Sequence, residues 1–61
     1  MRIRSEDNNK EATVEYEKYG LFKAYVYEKN GGEWLITHTS TPTINKNKAE
    51  LACKRFAKIY F

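Results

Sequence analysis

The segment from Leu21 to Thr39, LFKAYVYEKNGGEWLITHT, constrains the fold more than any other part of this 61-residue chain. It holds two runs of β-branched and aromatic residues on either side of Asn30-Gly31-Gly32. Asn-Gly is the strongest short hairpin signal, because both central residues of the favoured two-residue turn need a positive φ. The segment therefore predicts a β-hairpin with strands over 21–29 and 33–39.

The flanking residues predict one further strand and one helix. Alternation of apolar and polar residues over 12–18 indicates a strand, which Tyr19-Gly20 would join to the hairpin by a tight turn. After a loop that contains Pro42, Asn45 is a good N-cap for a helix that ends near Tyr60. At helical spacing, one side of this helix is apolar and mostly small: Ala49, Ala52, Cys53, Phe56, Ala57 and Tyr60.

These elements predict an α+β fold, with a three-stranded antiparallel meander followed by one C-terminal helix packed on one face. We expect a single β-β-β-α domain over residues 12–61. The polar segment over residues 1–11 contains the turn-forming run Asp7-Asn8-Asn9, and we expect it to be a flexible N-terminal arm.

Composition narrows the function classes. Cys53, His38 and Asp7 are each the only residue of their type, so no disulfide within the chain and no zinc site built on several cysteines can form. No acid, base and nucleophile fall into a catalytic pattern, and we expect no enzyme, no cofactor and no metal. There is no signal-peptide core and no apolar run near the ~20 residues of a membrane span, so we expect a cytoplasmic protein without a membrane partner.

The net charge of +3 is unevenly distributed. Residues 1–38 carry six Lys and Arg against seven Asp and Glu, whereas residues 39–61 carry five against Glu50 alone. The positive end of the chain is therefore the predicted helix. A net positive domain favours anionic partners such as nucleic acid.

Pairing the strands through two-residue turns sorts the sheet into two faces. Asn30-Gly31 would place Tyr27 opposite Trp34, and Tyr19-Gly20 would place Val14 opposite Tyr25. One face then carries Ala12, Val14, Tyr16, Lys23, Tyr25, Tyr27, Trp34, Ile36 and His38. The other carries Thr13, Glu15, Glu17, Phe22, Ala24, Val26, Leu35 and Thr37.

One helix covers only one of these faces, which leaves two alternatives. Apolar area favours burial of the face with the large aromatics, and Phe22, Val26 and Leu35 would then form an exposed patch for a protein partner. Alternatively, the small-residue side of the helix covers the other face. Aromatic rings interleaved with Lys23 and His38 would then be exposed, and such a surface suits bases and phosphates.

The order Phe22-x-Ala24-x-Val26, Asn30-Gly31, Trp34-Leu35 and the polar cap before an Ala-rich helix over 45–52 resembles the arm-type DNA-binding domain of tyrosine recombinases. It is also similar to the DNA-binding domain of plant ethylene-response factors, and the resemblance covers residues 20–57. It implies a sheet laid in the DNA major groove with the helix behind it. By position, it implies that Lys23, Tyr25, Tyr27 and Trp34 face the groove. The C-terminal half also looks like that of a double-stranded-RNA-binding domain.

We therefore expect a small nucleic-acid-binding accessory or regulatory protein, with duplex DNA favoured over RNA. Its size and the resemblance favour a phage or mobile element as the source. The expected contacts are Lys23, Tyr25, Tyr27, Trp34 and His38 on the sheet, with Lys46 and Lys48 at the helix start. The alternative is a protein-interaction module, either a homodimer or a small inhibitor of a host protein, that uses Phe22, Val26 and Leu35 or the outward-facing Leu51. The protein would be a monomer or a homodimer.

Overall fold

The computed structural model describes all 61 residues and consists of one antiparallel sheet and one helix. The elements are β1 (Arg2–Arg4), β2 (Lys10–Tyr16), β3 (Phe22–Asn30), β4 (Glu33–Thr39) and α1 (Lys46–Tyr60), with a short 3-10 turn at Lys18–Gly20 between β2 and β3. The strands lie in the order β1-β2-β3-β4, so each strand pairs with its neighbour in sequence. The predicted α+β class, with an antiparallel sheet followed by a C-terminal helix, is confirmed.

The sheet has four strands, and the predicted count of three is wrong. The additional strand, β1, lies in the segment expected to be an arm, and it pairs with β2 so that Ile3 faces Ala12. Its burial explains the strand: Ile3 packs against the core from between two outward-facing arginines. Three residues with one apolar side chain give too short an alternation to identify a strand from sequence.

The helix begins and ends with side-chain contacts that satisfy its free backbone groups. The Asn45 side chain accepts hydrogen bonds from the amides of Asn47 at 2.9 Å and Lys48 at 3.4 Å, which confirms the predicted N-cap. At the other end, Lys10 Nζ donates to the carbonyl of Tyr60 at 2.9 Å. A cation there offsets the negative end of the helix dipole and connects the helix to β2. The helix is too short and too polar to cross a membrane.

The core lies between α1 and one side of the sheet and is built from small residues. Ala12, Ala24, Val26 and Cys53 form its fully buried centre, and Ala49 is buried beside it. Larger side chains close the edges of this centre without being fully buried: Ile3, Val14, Phe56 and Tyr60. Because the side chains at the contact are small, the helix backbone can lie close to the sheet.

The β2–β3 connection is one residue longer than predicted. Tyr16 pairs with Phe22 and Val14 with Ala24, instead of the predicted Val14–Tyr25 pair, because the turn spans Lys18–Gly20. An odd change in loop length moves every side chain of one strand to the other face. Ala12 and Val14 therefore lie on the helix side together with Ala24 and Val26, not beside the tyrosines of β3.

The β3–β4 turn is the Gly31-Gly32 pair, with φ values of 60° and 88°, and Asn30 faces Glu33. Tyr27 consequently faces Ile36 rather than Trp34, a shift of two residues that leaves the faces unchanged. Beyond this pair the register shifts by one residue around Thr37, after which His38 faces Val26. This bulge turns His38 to the helix side, so its predicted place on the same face as Tyr25, Tyr27 and Trp34 is wrong.

The structure decides between the two predicted buried faces. Ala24 and Val26 of β3 lie under the helix, while Tyr25 and Tyr27 point to the other side. Of the two alternatives, the one that buries the face with the large aromatics is wrong. Leu35 lies on the helix side but beyond the reach of α1, and it remains 47% exposed.

Candidate nucleic-acid interface

The side of the sheet that faces away from α1, here called the open face, is not covered by any element of the chain. The alternation of each strand places these side chains on it: Arg2, Arg4, Glu11, Thr13, Glu15, Lys23, Tyr25, Tyr27, Lys29, Trp34, Ile36 and Thr39. A shallow depression lined by Arg2, Glu11, Tyr27 and Trp34 lies near its centre.

Aromatic rings and cations alternate along the middle of the open face. The rings of Tyr25 and Tyr27 lie side by side, with centroids 6.0 Å apart and planes inclined by 28°. Lys23 Nζ is 5.5 Å from the Tyr25 ring centroid, and the guanidinium of Arg4 is 5.9 Å from the ring of Trp34. Both distances are within the range of cation–π attraction, which holds these cations over the rings.

The two tyrosine hydroxyls are fixed by carboxylates at the edge of this cluster. Tyr25 donates to Glu17 and Tyr27 donates to Glu15, whose carboxylate also accepts from Thr13. The hydrogen bond to Glu17 raises the pKa of Tyr25 to about 12. Partial burial, followed by the hydrogen bond to Glu15, raises the pKa of Tyr27 to about 12. Both phenols are therefore neutral at physiological pH, with their rings held in one orientation.

The carboxylate of Glu11, on the same side of the sheet as those of Glu15 and Glu17, is neutralised by two arginines of β1. Arg4 Nη2 lies 2.9 Å and Arg2 Nε 3.4 Å from Glu11 Oε1. Glu11 is only 13% exposed, whereas the two arginine side chains are 49% and 71% exposed. Arg2 and Arg4 thus cover the carboxylate and still present positive charge to solvent.

The half of the open face formed by β3 and β4 carries no acidic side chain. We call the aromatic, basic and aliphatic side chains of this half the aromatic ribbon: Lys23, Tyr25, Tyr27, Lys29, Trp34 and Ile36. Glu28 and Glu33 belong to the same strands but alternate to the helix side. The aromatic ribbon is therefore an aromatic and basic strip, and the carboxylates that border it, Glu15 and Glu17, lie on β2 and just after it, where they accept hydrogen bonds from its two tyrosines.

The structure brings together four of the seven residues expected to bind nucleic acid. Lys23, Tyr25, Tyr27 and Trp34 share the aromatic ribbon. His38 does not join them, because it lies between β4 and α1 with its ring 3.8 Å from that of Tyr60. Lys46 and Lys48 are exposed at the start of α1, on the opposite side of the molecule from the open face.

Sequence reasoning missed Lys29 on this surface and gave no fixed place to Arg2 and Arg4. Lys29 follows Tyr25 and Tyr27 at a spacing of two residues, which places it on the same face of the strand, so alternation alone could have identified it. Arg2 and Arg4 could not be placed in this way, because β1 itself was not predicted.

A second positive surface lies on the outer side of α1. Lys48, Lys54, Arg55 and Lys58 are exposed there around Leu51, and none of them forms an ion pair. No three His, Cys, Asp or Glu side chains come together as a possible metal site. Comparison of the chain with protein-family models, with curated proteins and with solved structures gave no match.

Proposed function

We propose that this protein binds nucleic acid through the aromatic ribbon, as a small accessory or regulatory protein without a catalytic step. The observation that carries the proposal is the grouping of aromatic rings and lysines on β3 and β4. Tyr25, Tyr27 and Trp34 lie there with Lys23 and Lys29. The carboxylates beside them, Glu15 and Glu17, accept hydrogen bonds from the two tyrosines. Aromatic side chains make apolar contact with base edges and thymine methyl groups in a groove, and lysines attract the phosphates beside them.

Duplex DNA is the proposed target. The major groove of B-DNA is about 12 Å wide and admits a two-stranded β-ribbon. The β3–β4 pair, which carries the aromatic ribbon and ends in the Gly31-Gly32 turn, is the ribbon proposed to enter it. Lys29 lies near this turn, and Trp34 lies opposite it.

The resemblance of residues 20–57 to the arm-type DNA-binding domain agrees with this orientation. It implies a sheet in the groove with the helix behind, and Ala24 and Val26 do lie beneath α1. A phage or mobile element remains the proposed source. On this proposal, Lys46 and Lys48 point away from the bound groove and are not contacts.

The number of available cations limits the salt dependence of binding. The open face offers Lys23, Lys29, Arg2 and Arg4, and the last two already face Glu11. Each phosphate neutralised contributes about −0.9 to the slope of log K against log salt for a duplex. We therefore expect a slope no steeper than about −4.

The test is a fluorescence-anisotropy titration of labelled duplex DNA, single-stranded DNA and duplex RNA at several salt concentrations. Trp34→Ala should weaken binding to duplex DNA about 10-fold, since it removes the apolar contact of a large ring with base edges and thymine methyl groups in the groove. The double variant Lys23→Gln and Lys29→Gln should weaken binding and make the salt slope shallower by about 2.

The matched control is the double variant Lys46→Gln and Lys48→Gln, which removes the same charge from the far side of the molecule. It should leave affinity within about 2-fold, because few long-range charge effects survive beyond the ~10 Å screening length at 0.1 M salt. Equal losses in the two double variants would show that binding depends on net charge alone and would contradict the proposed surface. Preferential binding to single strands would correct the target, and absence of salt-sensitive binding would exclude the proposal.

A further inference from the structure

The outer edge of the sheet at β4 is exposed and apolar. The helix packs on β1, β2 and β3, and the first half of β4 lies beyond it. Trp34, Leu35 and Ile36 are 39%, 47% and 54% exposed. They are consecutive, so apolar side chains project from both faces of the strand. Natural edge strands usually carry charges, prolines or bulges that prevent pairing with another chain, and this half of β4 carries only Glu33.

The backbone of this half-strand is also free to pair. The two-residue turn at Gly31-Gly32 makes Asn30 and Glu33 a hydrogen-bonded pair, and the pairs that follow alternate. Lys29–Trp34 and Tyr27–Ile36 are consequently the pairs that do not exchange hydrogen bonds. The amide and carbonyl groups of Trp34 and Ile36 therefore point away from β3 into solvent.

We propose that β4 pairs antiparallel with β4 of a second copy of this chain, about a two-fold axis that passes between the two Leu35 residues. In this register Trp34 lies opposite Ile36 of the second copy, and the two residues exchange both backbone hydrogen bonds. The symmetry repeats the pair, which gives four hydrogen bonds. The result is a continuous eight-stranded sheet with an isologous interface.

The side chains fit a second copy better than an unrelated strand, because this register is self-complementary. It places an aromatic residue beside a β-branched residue twice on the open face, and Leu35 beside Leu35 on the helix side. Aromatic and β-branched residues are favourable cross-strand partners. Glu33 would lie opposite Thr37 of the second copy, so no two like charges face each other.

Neighbouring registers are less favourable. Sliding the copies by two residues towards the turns would place each Leu35 opposite a Glu33. Sliding them the other way would place Trp34 opposite His38, beyond the bulge at Thr37, where the ladder is broken. A slide of one residue would point the free groups of Trp34 and Ile36 away from a partner. The bulge thus limits pairing to the first half of β4 and selects one register.

The association is expected to be reversible. Pairing of such short strands buries less than the roughly 1,200 Å² at the lower bound of standard stable interfaces. Both open faces would lie on the same side of the extended sheet, but the dimer does not depend on binding of nucleic acid.

Sedimentation velocity from about 1 μM to about 1 mM, the range of weak to moderate affinities, tests the proposal without nucleic acid. The wild-type chain should change from monomer to dimer over this range. Leu35→Lys should abolish the dimer, since it places two positive charges against each other across the axis. The matched control, Leu51→Lys, makes the same change at an exposed leucine on the outer side of α1 and should dimerise as the wild type does. A monomeric wild type at the highest concentration, or loss of the dimer in Leu51→Lys alone, would overturn the proposal.

A cross-linking variant tests the register and does not depend on how Leu35→Lys folds. In the proposed pairing the two Leu35 residues form a non-hydrogen-bonded pair, in which Cα atoms lie about 4.5 Å apart, within the range a disulfide spans. Leu35→Cys should form a covalent dimer rapidly under mild oxidation, and Leu51→Cys should not. Cys53 is fully buried and should remain unreacted in both. Equal cross-linking of the two variants would contradict the register.

Discussion

The imidazole ring of His38 lies stacked on the phenol ring of Tyr60, with centroids 3.8 Å apart and planes inclined by 19°. The Phe56 ring lies 6.4 Å from His38 and 5.9 Å from Tyr60. This cluster connects β4 with the last turns of α1, at the end of the helix where Lys10 binds the Tyr60 carbonyl. In a core whose centre is built from small residues, it supplies much of the aromatic contact between helix and sheet.

Replacement of Tyr60 should therefore destabilise the fold. Tyr60→Ala is expected to lower the free energy of unfolding by about 2 kcal/mol, below the 3–5 kcal/mol of a fully buried aromatic because Tyr60 is partly exposed. Ile59→Ala is the control, since Ile59 is 62% exposed and should change stability by less than about 0.5 kcal/mol. Urea unfolding followed by Trp34 fluorescence measures both. Equal effects of the two substitutions would show that the cluster contributes little.

The two tyrosines of the aromatic ribbon should ionise late on a rise in pH. Their pKa values are raised to about 12 in the folded state, against about 10 in an unfolded chain. The folded state then binds more protons than the unfolded state between these pH values, so the free energy of unfolding should fall as pH rises from about 10 to about 12. Below about pH 10, the contribution of the two tyrosines to the free energy of unfolding is fully present. Absorbance titration of the phenolate checks the raised pKa values. Urea unfolding at each pH checks the fall in the free energy of unfolding.

Replacing a carboxylate by an amide tests the cause of the raised tyrosine pKa. Glu17→Gln removes the charge and weakens the hydrogen bond that Tyr25 donates, because a neutral amide oxygen is a weaker acceptor than a carboxylate, so the pKa of Tyr25 should fall towards 10. Tyr27, which is held by Glu15, should keep its raised pKa in this variant. Absorbance titration of Glu17→Gln should therefore show one tyrosine ionising earlier, whereas Glu15→Gln should shift Tyr27 less, because partial burial is the larger cause of its raised pKa. A titration curve unchanged from the wild type would contradict the assigned cause.

Cys53 should behave as a small core residue. Its side chain is fully buried, and burial raises the pKa of its thiol, so little reactive thiolate forms near neutral pH. A disulfide reagent should react slowly with the folded protein and rapidly in urea. Cys53→Ser should lower the free energy of unfolding by about 1–3 kcal/mol by burying a hydroxyl, and Cys53→Ala should cost less. Rapid reaction in the folded state would contradict this placement.

Tyr19 should limit stability rather than add to it. Its backbone is in the left-handed region, with φ 62° and ψ 33°, and its side chain is 90% exposed. A left-handed conformation costs a non-glycine residue roughly 1–2 kcal/mol, so Tyr19→Gly should raise the free energy of unfolding by about 1 kcal/mol. Lys18→Gly, at a neighbouring residue without a positive φ, should lower it by about 0.5–1 kcal/mol. Thermal melts of the two variants should therefore shift in opposite directions.

Local signals in the sequence were sufficient for the β3–β4 hairpin and for the helix, but not for β1. The glycine-rich turn between β3 and β4 and the capping side chain of Asn45 each act within a few residues of the chain. The predicted strand over 33–39 and the helix from the Asn45 cap to Tyr60 accordingly agree with the structure. The apolar side of the helix was also assigned correctly for Ala49 and Cys53, because helical periodicity defines a face without reference to any partner.

The sequence by itself determined that this protein is an antiparallel sheet followed by a helix, and that β3 has an aromatic face and a small apolar face. Only the tertiary structure decided which of these is covered. Alternation defines two faces on every strand but does not say which faces of neighbouring strands coincide. Which faces coincide depends on the one additional residue in the turn at Lys18–Gly20 and on the bulged residue at Thr37. The first placed Val14 beneath the helix, and the second moved His38 from the open face into its stack on Tyr60.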